Sequence, residues 1–294
     1  MTSDNAQAVP ADDPVTVAFA RTTAATRWRL NRSIPLRFPT HHPQGLALIG
    51  DTIVLSTVEV VEWPVRRPQL ADGHDRTPGK GIGHLLLMDR EGNLRADIEI
   101  GDGTIYHPGG IDFDGESVWV PVAEYRPDSR SIIYRLDMST SRVTPVFEVD
   151  DHISAMVRDR ITGNLHGMSW DARAMYAWTP DGTTLARQAN EDHLVAVQDA
   201  NYVGWRKQIC TGVASLPTSD GGRYELGSVV LRDLRDNRIL HQIPFPYFSS
   251  AGHVMTRNPV ALEVVNETLR LLAAPDDGNE GSGTELFVYE ALMS

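Results

Sequence analysis

Three histidines open matching stretches of the chain. His42 begins His42-Pro43-Gln44-Gly45, His107 begins His107-Pro108-Gly109-Gly110, and His152 begins a third copy without the proline. In the first two copies an apolar run, a Gly/Asp turn and a second apolar run follow. The second run ends in Glu59 or Glu124, in each case 17 residues after the histidine. Two further copies begin at Gln198 (or Asp199) and at Asn258. The second runs of the last three copies end at Trp170, Ser215 and Asp276 (or Asp277). Imidazole nitrogen suits Zn, Fe, Ni and, with oxygen donors, Mn. His42, His107 and His152, with Gln198 or Asn258 completing the shell, form a candidate open site for a divalent transition metal. Glu59 and Glu124 would orient imidazoles or move protons. Arg257 would hold a substrate carboxylate. Tyr125, Trp170, Tyr202 and Trp205 are candidates for the walls of a small-molecule pocket. His41 reads as a surface group, and His84 falls off the repeat.

These side chains converge only if the repeat is a structural unit. After residue 40 the chain alternates short runs rich in Val, Ile, Leu and Trp with Gly, Asp, Asn and Pro turns, without sustained helical periodicity. Each histidine-type pair of runs is followed by another pair, such as Ser131–Asp137 and Val143–Val149, and the spacing approaches the 40–45 residues of a four-stranded blade. The expectation is all-β: a single β-propeller of five four-stranded blades, with six blades as the alternative. The fifth blade lacks its outermost strand. The alternating segment Trp28–Phe38 supplies it and removes the unpaired edge of an open ring. Residues 1–26 are then a tail or arm and 27–294 the propeller. In a blade, the start of the innermost strand and the end of the second meet at one channel mouth, which would gather the histidines and glutamates.

The His-Pro-Gln-Gly and Ser56-x-Val58-Glu59 signatures resemble an uncharacterised bacterial propeller family. More distantly, residues 28–294 are similar to the gluconolactonase and YVTN-type propeller group. That group holds a divalent metal through one Glu, two Asn and one Asp, but its Glu-Gly-Pro opening is absent here, so its ligand set does not transfer.

Bulk properties narrow the field. The net charge of −12 opposes nucleic-acid and anionic-membrane binding. One cysteine, Cys210, excludes an internal disulfide and a thiolate cage. No apolar run has the length of a membrane span, and the N-terminus lacks a signal-peptide pattern, so a cytoplasmic location is expected. Phosphate-loop, Gly-x-Ser-x-Gly and His-Glu-x-x-His motifs are missing. The expected function is a metal-dependent hydrolase or lyase for a small polar metabolite: a lactone, uronate or sugar derivative. The alternatives are a lectin-like or scaffold propeller without chemistry, in which His-Pro-x-Gly is turn chemistry, and a metal-free paired-carboxylate glycosidase.

Overall fold

The computed structural model describes residues 13–293. Five antiparallel four-strand sheets form a five-bladed propeller. Blade one comprises His42–Ile49, Thr52–Glu62, Lys80–Asp89 and Leu94–Ile100. Blade two comprises an interrupted inner strand (His107–Pro108, Asp112–Phe113), then Ser117–Ala123, Ser131–Asp137 and Arg142–Val149. Blade three runs Ile153–Arg158, Leu165–Ser169, Ala174–Trp178, Thr184–Ala189, and blade four Ala196–Tyr202, Lys207–Pro217, Arg223–Asp233, Ile239–Pro244. Blade five has Val260–Val265, Thr268–Ala273 and Glu285–Leu292, and the N-terminal strand Arg27–Pro35 completes it by pairing with Glu285–Leu292. Five blades and N-terminal closure are as expected from the repeat.

Burial follows strand position. Middle strands such as Ser117–Ala123 are buried throughout, whereas the outer strand Thr184–Ala189 is wholly exposed. The core is divided into five clusters, one between each pair of neighbouring blades. Cys210 lies in the cluster between blades three and four, where burial pushes its thiol up to about 12. The arm expected over residues 1–26 is docked from residue 13 onward. Asp13 caps a short helix, Pro14–Phe19, whose Phe19 enters the cluster between blades four and five. Residues 1–12 lie outside the described residues. Among the described residues, no helix is long and apolar enough to cross a membrane.

At the axis the blades touch through backbone. A Cβ on Gly45 would lie 2.7 Å from Gly110 Cα, and one on Gly110 would lie 2.6 Å from Asp199 Oδ1. The glycines of the repeat therefore serve close approach. Asp199, fully buried, links three blades to its own. Its Oδ2 accepts the amides of Leu46 (2.9 Å) and Val260 (3.3 Å), and its Oδ1 accepts those of Ile111 (3.2 Å) and Ala200 (2.9 Å). Asn201 donates to the carbonyls of Leu46 and Ile111 from one turn of the pleat below. Of the two alternatives at the start of blade four, Asp199 is thus the axial clamp and Gln198 is left for the mouth.

Candidate functional site at the channel mouth

The innermost strands of blades one, three and four each carry a bulge, where the register shifts at Gln44, Ser154 and Gln198. A bulge re-aims side chains and terminates regular pairing. All three bulge residues line one cavity of about 130 Å³, together with His42, His107, His152, Tyr125, Trp170 and Asp171. The chain thus brings together His42, His107, His152 and Gln198, with Tyr125 and Trp170 as walls. Tyr202 and Trp205 belong to the other end of the channel: Tyr202 lines a cavity there, and Trp205 sits in the turn after it.

The bulges also decide where the glutamates go. Below the bulge, Gly45 pairs with Ser56; above it, His42 pairs with Val58. In blade two, Asp112 pairs with Trp119 whereas His107 pairs with Ala123. Without the one-residue shift, His42 would face Glu59 and His107 would face Glu124. With it, the glutamates leave on the opposite face of the sheet. Glu124 is buried and clamped by Arg126 (2.6 Å) and the Thr104 hydroxyl (2.7 Å). Glu59 faces a separate cleft beside His84. Glu59 and Glu124, one of the carboxylate pairs offered for the glycosidase alternative, thus have different surroundings.

Each imidazole at the mouth has its own environment. His42 Nδ1 lies 2.7 Å from Asp277 Oδ1, and that carboxylate also accepts from Asn258 Nδ2 at 3.3 Å. Asn258 is therefore a buried support for Asp277 rather than a cavity wall. His152 Nδ1 donates to the Glu124 carbonyl at 2.8 Å, and burial pushes its pKa down to about 4. His107 is buried with neither ring nitrogen hydrogen-bonded, and burial followed by its histidine neighbours holds it well below the usual value. Tyr125 covers His107 with ring centroids 4.0 Å apart; burial pushes its phenol up to about 12. The ring centroids of His42 and His107 are 6.3 Å apart, and those of His107 and His152 are 5.8 Å apart. Rings sharing one ion would stand about 5 Å apart, given metal–nitrogen bonds of roughly 2.0–2.1 Å.

Arg257 lies beside the mouth but is engaged, 2.8 Å from Glu280 and 3.8 Å from Asp277. The insertion between strands two and three of blade one forms a small hairpin (Arg66–Ala71, His74–Arg76). It reaches over to blade three, where the Arg76 guanidinium sits 5.4 Å from the Trp170 ring.

A cleft of about 350 Å³ adjoins the mouth and shares His42 with it; His41, Glu59, Trp63, Asp277 and Asn279 also line it. Among the described residues, the one trio of His, Cys or acidic side chains with ligand atoms within 4.8 Å of one another is His41, Glu59 and His84. His84 escaped the repeat because it is on a third strand. Its register opposite Thr57, diagonal to Glu59, is the signal that identifies it.

The opposite end of the channel contains Asp112, which accepts the amides of Tyr202 (3.0 Å) and Arg158 (3.2 Å). Burial raises its pKa from 3.8 to about 7, although Arg160 and the two amides oppose the rise. Between those values the folded chain retains a proton that the unfolded chain releases. Stability therefore falls as pH rises across this window, by up to roughly 4 kcal/mol. Urea midpoints measured across the window should decline with pH in the wild type and be flatter in Asp112→Asn. Parallel profiles would refute the assignment.

A search of curated proteins finds no match to this sequence. Solved structures that superpose on it include hydrazine synthase from Kuenenia stuttgartiensis (12% identity, TM-score 0.41, covering 81% of this chain and 58% of that one). A tail fibre of Staphylococcus aureus phage P68 matches with 9% identity and TM-score 0.50, covering 92% and 54%. A member of the DUF4221 family from Bacteroides vulgatus matches with 9% identity and TM-score 0.41, covering 93% and 100%. The chain thus spans little more than half the length of the first two, and at these identities the likeness is of fold alone. Over residues 11–294 the sequence matches the model of a family of unknown function, DUF6454, and the protein belongs to that family.

Proposed function

We propose that the channel mouth is the catalytic centre of a hydrolase or lyase acting on a small polar metabolite. The observation that carries this is the 2.7 Å His42–Asp277 pair opening on a cavity shared with two further imidazoles, one of which, His107, has no hydrogen-bond partner. With Asp277 accepting from Nδ1, His42 presents the lone pair of Nε2 as a general base toward water or an acidic C–H. Neutral His107 can donate an N–H to a developing oxyanion. His152, its Nδ1 committed to the Glu124 carbonyl, also presents Nε2. Arg257 is held by Glu280 and Asp277, and receives a substrate carboxylate only by exchanging it for one of these partners. The distant resemblance to the gluconolactonase group makes lactones the first class to assay, followed by uronates and sugar derivatives.

A second reading rests on the two unpartnered nitrogens of His107: a divalent Mn, Fe, Zn or Ni ion held by His42, His107, His152 and Gln198. It requires the rings to close by about 1 Å around the ion. Assay of the substrate panel with and without chelator separates the two, since only the metal-held version loses activity. In either version His42→Ala should lower turnover about 10²–10⁴-fold, and Asp277→Asn should lower it with the fold retained. Unchanged turnover in both variants would reject the site. Ligand binding without turnover of any panel member would favour a lectin-like module.

A further inference from the structure

We infer that His41, Glu59 and His84 form a binding site for a divalent transition metal ion on the flank of blade one, separate from the channel mouth. Their ligand atoms lie within 4.8 Å of one another. His84 is 6% exposed, and its Nδ1 faces Asp97 at 2.8 Å, so the proton resides there and Nε2 carries the lone pair. That Nε2 is buried and has no hydrogen-bond partner. A carboxylate fixing the far nitrogen of a histidine is the usual support of a metal ligand. Glu59 Oε2 stands 3.8 Å from His84 Nε2, too far for a hydrogen bond and close to the separation of two ligands on one ion. The His41 and His84 rings are stacked, with centroids 5.0 Å apart and planes 13° from parallel, so the part-exposed His41 ring turns on its side-chain torsions to bring a nitrogen lone pair to an ion at His84 Nε2.

The backbone holds His41 in place for this. Its φ is +52°, a left-handed conformation uncommon for a residue with a side chain. The Gly278 amide donates to the His41 carbonyl at 2.7 Å, and the Thr57 hydroxyl donates to the Thr40 carbonyl. Glu59, His84 and Asp97 form a diagonal series across three strands on the face that the register shift gives to Glu59. Two imidazoles and one carboxylate select a borderline transition ion such as zinc over calcium or magnesium, which require more oxygen ligands. Three protein ligands leave a coordination position open to the 350 Å³ cleft.

The test uses the untagged full chain, stripped by chelator and dialysed, with zinc titrated by calorimetry and cobalt by visible absorption. The expected result is binding with a tetrahedral-type cobalt spectrum. In His84→Ala and Glu59→Gln, affinity should fall by about 100-fold or more; in Asp97→Ala, by about 10–100-fold. The exposed-histidine variant His193→Ala should match wild type. Glu59→Gln keeps the side chain's size, and 43% of that side chain is exposed, so a loss there is not a folding defect. Absence of zinc and cobalt binding by the wild type, or undiminished binding in both His84→Ala and Glu59→Gln, would overturn the inference.

Discussion

Asp199→Ala is expected to destabilise the propeller by at least about 4 kcal/mol, and Asp199→Asn by about half as much. The carboxylate accepts four backbone amides, from Leu46, Ile111, Ala200 and Val260, in a position with no exposed surface. Alanine leaves all four donors without an acceptor, and each buried, unsatisfied group costs roughly 1–3 kcal/mol. Water entering the polar gap would recover part of that. Asparagine keeps one oxygen and points its NH₂ at amides that are themselves donors, so about half the contacts are lost. It also removes an ionisable carboxyl whose pKa burial holds well above the ordinary value, which offsets some of the loss. A domain is stable by only about 5–15 kcal/mol, so the alanine variant should be near its limit. Urea unfolding followed by tryptophan fluorescence measures both. An Asp199→Ala variant within about 1 kcal/mol of wild type would show that the blades are held without the axial clamp.

The propeller, its blade count and its closure were legible because each rests on repetition along the chain. His42, His107 and His152 recur at one place in the blade, and such recurrence survives any uncertainty about side-chain direction. What the spacing does not encode is the bulge. An interval of 17 from His42 to Glu59 is compatible with the two facing each other. One unpaired residue, Gln44, converts that into His42 facing Val58. Because the side-chain period of a strand is two, a shift of one sends Glu59 to the other face. There it meets His84 and His41, neither of which the repeat marks. His84 is on a strand brought alongside only after the 17-residue connection 63–79, and His41 is aimed by a left-handed backbone angle. Asp277 was one of two alternatives at the end of blade five, and only the loop after Ala273 decides that it reaches His42.

Removing residues 1–36 should abolish the folded monomer, whereas returning residues 27–36 to the opposite end of the chain should restore it. In blade five, strand Arg27–Pro35 pairs along Glu285–Leu292, with Arg27 opposite Leu292 and Pro35 opposite Glu285. Its Trp28 and Ile34 are buried; Trp28 packs edge-on against Phe245 at 5.2 Å, and its amide donates to the Tyr247 hydroxyl. Deletion exposes that apolar contact and leaves Glu285–Leu292 as a bare edge, a template for aggregation. The same segment runs on into Thr40 and His41 of the cleft and into His42, which the cleft shares with the mouth, so the closing strand also leads directly into both. A chain starting at residue 37 and continuing from residue 293 through a turn of about 2–4 residues into 27–36 would rebuild the pair as an ordinary hairpin. Both chains lack the helix Pro14–Phe19, so their difference isolates the strand. Size-exclusion chromatography and thermal melting should find the permuted chain monomeric and cooperative, and the deleted chain aggregated or without a transition. Equal solubility and melting temperature in the two would mean that the ring is held by its inter-blade clusters alone, without strand closure.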